Sequence, residues 1–222
     1  VWRDLGCFGS SFYETPHIDR LCSQGVKFTN GYAANPVCSP TRASIMTGKY
    51  PSRINITQYI GGRNKGKLLP PAYEHQMALE ETTLAEAFKE HGYTTFFTGK
   101  WHLGEDPKYW PENQGFDINK GGWRAGAPSY RYKNEEGKFV STNKKFRGGF
   151  FVPYNNPRLE DGPEGEYLTD RLTDESIKFL EQHDKSKPFL LYLSHYAVHN
   201  PQQAKKEDVK KFEKKLAEME KP

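Results

Sequence analysis

The feature that most constrains this chain is the repeated pairing of a helical stretch with a short apolar run. Residues 82–88 place Leu84, Ala87 and Phe88 at helical spacing, and Gly92 closes the helix. Residues 93–98 then read as a buried strand, because they are β-branched and aromatic. The pairing recurs later. Residues 167–183 read as a helix with Leu172, Ile177 and Leu180 among its apolar positions, and residues 189–194 read as a second apolar strand. Two helices precede these. One has Thr15 as its N-cap, Pro16 in its first turn and Gly25 at its end; the other starts at Pro40 and stops near Gly48. Residues 26–29 between them read as a short strand.

Helices that alternate with short buried strands predict an α/β fold with a largely parallel central sheet flanked by helices. In such sheets ligands gather at the carboxyl ends of the strands. Lys100, His102, His195 and His199 all lie just past predicted strand ends, and Cys38 lies at a helix start. From 106 to 166 the chain is rich in Gly, Pro, Asn, Lys and aromatic residues and shows little periodicity. That is too long for a plain connector, so it reads as an irregular excursion that shapes a pocket. Its aromatic and basic residues (Tyr109, Trp110, Trp123, Arg124, Tyr130 and Arg131) suit either stacking on an anionic saccharide or filling a subdomain core.

Cys38-Ser39-Pro40-Thr41-Arg42 carries the chemistry. It sets a cysteine at the mouth of a helix with a cation one turn on. Backbone N–H groups at a helix start favour negative charge, so the arrangement suits attack on an anionic ester. Lys100 supplies a point charge for an oxyanion, and His102 can move a proton near neutral pH. The net charge of +4 is compatible with anionic substrates and does not point to nucleic acid; there is no arginine-rich tract. No apolar run is long enough to span a bilayer. The cysteines number three, which argues against a fully paired disulfide framework, and no C-x-x-C pair suggests zinc. The chain opens on Val1 and closes in a charged helical run, 205–222, so both ends read as cut. Lysines and acids alternate in that run, which marks a solvated helix face.

Taken together, the stretches 38–48 and 92–103, with 13–21 and 197–201 in the expected order, resemble the sulfatase family of the alkaline-phosphatase superfamily over nearly the whole chain. The resemblance implies an incomplete alkaline-phosphatase-like fold: residues 1–222 would be the N-terminal and central part of a sulfatase catalytic domain. It implies hydrolysis of sulfate esters, on a sulfated glycan or an aryl sulfate. Cys38 would be oxidised by a formylglycine-generating enzyme to Cα-formylglycine, whose hydrated form attacks sulfur, releases the alcohol and then expels sulfate. Arg42 would hold the diol, and Lys100 would bind the sulfate. His102 would take the proton during sulfate release, and His199 would protonate the leaving oxygen. Ca²⁺ would bind the diol derived from Cys38, so Cys38 is also the chain's expected metal position.

The family's paired aspartates and its second ligand pair have no counterpart in this chain, so the chain on its own is expected to bind the ion poorly and to be inactive. A polar sulfate contact is expected near Gly121-Gly122-Trp123-Arg124, from Trp123 or Arg124. The family also implies an exported protein (periplasmic, secreted or lysosomal). Two alternatives remain open: a phosphonate or phosphodiester hydrolase of the same superfamily, and a non-catalytic anionic-glycan-binding relic with Cys38 unoxidised.

Overall fold

The structure, a computed structural model, describes residues 2–62, 66–68, 71–128, 132–133, 139–140 and 149–219. It divides into two compact units, residues 1–32 with 204–222 and residues 33–203.

In the first unit α1 (Pro16–Gln24) begins where its proline fits a first helical turn. Thr15 occupies the N-cap position, yet its hydroxyl is used elsewhere: it accepts from Gly6 N at 2.8 Å and donates to Asp19 Oδ1 at 3.0 Å. The expected strand at 26–29 does not form. Those residues are assigned to no strand, and Val26 and Phe28 are exposed, with no neighbouring strand among the described residues to hydrogen-bond them. The charged run forms α5 (Lys206–Met219), which has no buried residue. Phe212 packs on Phe12 at 5.5 Å between ring centroids, and Lys211 and Lys215 pair with Glu14.

The second unit is built on a parallel sheet. Its middle strand is β1 (Thr94–Gly99), flanked by β2 (Ile118–Lys120) and β5 (Phe189–Ser194), with Phe96 opposite both Ile118 and Leu191. Successive strand side chains point to opposite faces. Phe96 therefore stacks on Phe179 of α4 (Leu168–Gln182) at 4.5 Å, while Phe97 meets Trp101, Phe116 and Tyr192 on the other face. Ala43 and Met46 of α2 (Cys38–Thr47) and Ala85 of α3 (Leu84–Glu90) complete the Phe97 side. Helices thus cover both faces, as a parallel sheet requires.

One expectation needs correction here. Helix α2 starts at Cys38, so Pro40 sits within the first turn, where its missing N–H costs nothing. In α4 the inward face is Leu168, Leu172, Ser176 and Phe179, whereas Ile177 and Leu180 are exposed. The 106–166 excursion contributes β2 to the sheet as an edge strand. Its described part also holds a two-stranded antiparallel ribbon, β3 (Tyr132–Lys133) with β4 (Phe139–Val140). Trp110 and Trp123 are buried core residues, while Tyr130 and Arg131 lie outside the described residues.

The α3 start carries a capping box. Thr83 Oγ1 accepts from Glu86 N at 3.1 Å, Glu86 Oε2 accepts from Thr83 N at 2.8 Å, and the Thr83 hydroxyl donates to the buried carbonyl of Gln114 at 2.8 Å. Thr83→Ala removes the cap and strands that carbonyl. We expect it to cost about 2 kcal/mol, read from the urea midpoint, with Thr83→Ser retaining most of the stability.

Candidate active site

The site forms where β1 and β5 end. Gly99 closes β1 with a φ of 105°, and a Cβ there would stand 1.9 Å from the Ser194 carbonyl oxygen, so only glycine fits. This close approach lets Lys100 N donate to Ser194 O at 2.7 Å. Arg42, reaching up from α2, ties the strand ends together. Its Nη1 donates to the Lys100 carbonyl at 2.6 Å and to Ser194 Oγ at 2.7 Å.

Cys38 is the first residue of α2. Its N-cap, Val37, offers no side-chain acceptor to the helix start. The Cys38 Sγ lies 3.3 Å from His102 Nδ1. His102 is 7 % exposed and holds a left-handed φ of 61°, which turns its ring back over the helix mouth. The other ring nitrogen, Nε2, is 2.9 Å from the Ile60 carbonyl. A carbonyl only accepts, so Nε2 carries the proton, and in the neutral ring Nδ1 presents its lone pair to Cys38. Ser39 fixes both neighbours: its hydroxyl donates to His102 O at 3.0 Å and accepts from Ile60 N at 3.0 Å. Gly126 packs against the ring, where a Cβ would stand 2.4 Å from His102 Cε1.

Cys38, Arg42, His102 and His199 line one cavity of about 880 Å³, together with Thr41, Tyr59 and Tyr192. Among the described residues its lining contains no Asp or Glu. His199 comes from the loop after β5 and is exposed; its Nδ1 lies 3.0 Å from the Asn200 carbonyl. Lys100 is not part of the lining but sits close enough for its charge to act on both Cys38 and His102. The lysine is 4 % exposed, and its ammonium has no hydrogen-bond or ion-pair partner among the described residues. His195, the remaining candidate histidine, stands apart: it is outside this lining and its Nδ1 is buried with no partner among the described residues.

The electrostatics follow from burial without counter-charge. Desolvation, reinforced by Lys100, pulls the His102 pKa down to about 4. Desolvation, with Arg42 adding to it and Cys38 opposing it, pulls Lys100 down to about 8. Burial also lowers Arg42 and His195. Near neutral pH the site therefore holds a neutral imidazole beside two cations, a combination that attracts an anion and can accept a proton.

The His102 shift predicts a pH-dependent stability. The unfolded chain takes up a proton near the ordinary imidazole value of 6.5, the folded chain only near 4, so the unfolded state binds more protons between them. Stability should fall by roughly 3 kcal/mol as pH drops from about 6.5 to about 4 and level off below that. Thermal melts across this range check it, and His102→Gln should flatten the slope.

Sequence reasoning passed over Ser39, Ser194 and the Ile60 carbonyl. Ser39 lay inside the quoted motif, but nothing marks Ile60, since a carbonyl has no side-chain signature. Trp123 and Arg124 do not reach the Cys38 cavity. They line a separate one of about 790 Å³ with Trp110, Asn155 and Asn156, and Gly126 and Ala127 border Cys38 instead. The residues present do not fit a calcium ion by themselves. A hard cation takes six or more oxygen ligands, yet no cluster of three His, Cys, Asp or Glu that could hold a metal occurs among the described residues.

Comparison with known proteins agrees with this geometry. The sulfatase family model matches residues 1–221. The chain is 34 % identical over 203 residues to N-acetylgalactosamine-6-sulfatase of Mus musculus, covering 90 % of this chain and 38 % of that protein. It is 32 % identical to arylsulfatase J of Mus musculus, covering 91 % of this chain and 31 % of that protein. Among solved structures it resembles Ps i-CgsB in complex with k-i-k-neocarrahexaose, with a TM-score of 0.71 and 29 % identity over 95 % of this chain and 46 % of the other. The chain thus spans less than half the length of these relatives. The chain is therefore a member of the sulfatase family and has its alkaline-phosphatase-like fold, a parallel sheet covered on both faces by helices.

Proposed function

We propose that this chain is the nucleophile-bearing part of a sulfuric ester hydrolase, acting on a sulfated glycan or an aryl sulfate. One observation carries the reading: Cys38 opens α2 within 3.3 Å of a neutral histidine, in a cavity whose lining holds the Arg42 cation and, among the described residues, no carboxylate. Cys38 suits conversion to Cα-formylglycine, being half-buried, unpaired with another cysteine and at a helix start. Once formed, that group supplies an oxygen nucleophile in place of sulfur.

The chain's own side chains then have distinct tasks. Arg42 and Lys100 draw the sulfate oxygens toward α2 and oppose the charge that builds on them. His102 accepts a proton at Nδ1 from the side chain at 38, because its Nε2 proton is committed to Ile60. His199 lines the same cavity from the loop after β5, and in this reading it protonates the departing ester oxygen. No step is assigned to a calcium ion, since no group of three His, Cys, Asp or Glu that could hold one occurs among the described residues. The names of the relatives make a sulfated amino sugar the first natural substrate class to assay. The reading also makes the whole protein an exported one that meets a formylglycine-generating enzyme during maturation. No helix among the described residues is long and apolar enough to cross a membrane.

The test is a peptide map of the full-length protein co-produced with a formylglycine-generating enzyme, together with matched sulfate, phosphate and phosphonate esters. We expect the peptide containing residue 38 to have lost its sulfur and the sulfate ester to be hydrolysed fastest. Turnover with Cys38 intact overturns the modification. Preference for the phosphonate moves the protein to the phosphonate hydrolases, and glycan binding without turnover makes it a relic.

A further inference from the structure

The two cysteines outside the site lie on segments that are pinned together. Cys7 lies in a 3₁₀ turn, Gly6–Phe8, and Cys22 in α1. The turn is pinned to the helix by two backbone donors: Cys7 N to Asp19 Oδ1 at 2.7 Å and Gly6 N to Thr15 Oγ1 at 2.8 Å. Thr15, Asp19 and Cys22 recur at helical spacing, so Cys22 is one turn further along the face on which the turn rests. The approach is close, since a Cβ on Gly6 would stand 2.4 Å from Asp19 Oδ2. Lys27 Nζ donates to the Cys7 carbonyl at 3.0 Å and holds the far side of the turn. The Cys22 thiol is accordingly one of the groups that oppose ionisation of Cys7. Both residues are half-buried thiols. A metal site does not account for the pair, because no group of three potential ligands occurs among the described residues.

We propose that Cys7 and Cys22 form a disulfide when the protein meets an oxidising thiol–disulfide couple. One thiolate attacks a sulfur of oxidised glutathione and releases a glutathione thiolate. The second then attacks the protein sulfur of the mixed disulfide and releases the other. Two protein thiols thereby lose two electrons and two protons, and one oxidised glutathione becomes two reduced ones. Burial, Cys22 and Asp19 push the Cys7 thiol up, so that thiol stays protonated near neutral pH and waits for a disulfide donor. Because the chain has three cysteines, this pairing leaves Cys38 as its one remaining thiol. An oxidising environment can then cross-link the first unit without consuming the residue on which the proposed hydrolysis depends.

The test reads no activity, so it stands apart from the hydrolase assignment. The full-length protein is incubated natively with oxidised glutathione, alkylated, and digested without reduction. We expect a linked peptide pair through residues 7 and 22, two hydrogens lighter than the separate peptides and released by phosphine. The oxidised protein should lose several degrees of Tm on reduction, and Cys7→Ser and Cys22→Ser should each abolish that sensitivity. Complete alkylation of both thiols after oxidation, or a link from either to Cys38, overturns the proposal. If the serine variants fail to fold, the peptide map of the unaltered protein decides.

Discussion

Replacing Cys38 with Ala is expected to lower sulfate-ester turnover by roughly 10⁴-fold or more while leaving the fold in place, the scale at which removal of a covalent nucleophile acts. Two features of the structure separate activity from stability at this position. Among the described residues the Cys38 side chain makes one hydrogen-bond contact, the 3.3 Å approach to His102 Nδ1. Helix α2 does not depend on that contact. It is seated by Ala43 and Met46 in the core and by the Arg42 bonds to Lys100 and Ser194. The cavity is open to solvent at His199, so water can replace the lost partner of Nδ1. The stability change should stay within about 1 kcal/mol. Rates on an aryl sulfate and a urea midpoint, measured on the same full-length preparation, check both halves. Activity within tenfold of the parent removes Cys38 from the chemistry. A collapse of the fold would show that position 38 is structural.

Most of the sheet and the helices around it could be read before any coordinates, because their signals are local. The strand at β1 announces itself through consecutive aromatic and β-branched residues, and α3 through Thr83, Glu86 and its spacing. What composition alone does not show is set where partners decide. Residues 26–29 have strand composition but no strand beside them among the described residues. Residues 118–120 have weak composition and become β2 because β1 presents an edge to them. In α4 Ile177 and Leu180 are apolar and still face outward, since the sheet meets the face of Leu168, Leu172 and Phe179. The same division holds at the site. Cys38, Arg42, Lys100 and His102 were visible as types at a spacing. The burial of Lys100 and the tautomer of His102 were not, because they arise from a glycine-permitted approach of two strand ends and from a carbonyl sixty residues into the chain.

Lys100→Met should make the protein more stable and a poorer catalyst. A lysine that is 4 % exposed and whose ammonium has no counter-ion among the described residues is costly to keep charged, and its pKa falls from 10.5 to about 8 for that reason. Methionine fills a similar shape without charge. At pH 7, where Lys100 is still protonated in the folded state, we expect a gain of about 1–3 kcal/mol. The sign of the pH dependence is fixed. The unfolded lysine binds its proton up to 10.5 and the folded one only up to about 8, so the parent protein regains stability as pH rises across that interval. The advantage of the variant should therefore shrink between pH 8 and pH 10.5. Removing the charge should also raise the His102 pKa, which Lys100 helps to depress, and an NMR titration of that ring would show it. Turnover is expected to fall by about 10²–10³-fold, since one of two cations opposing the sulfate charge is gone. A lowered Tm at pH 7 would mean that the lysine is already neutralised in the working protein. An unchanged kcat/KM would mean that its charge does not face the ester. A stable variant with lost turnover would show that this fold tolerates an unpaired buried cation for the sake of binding an anion.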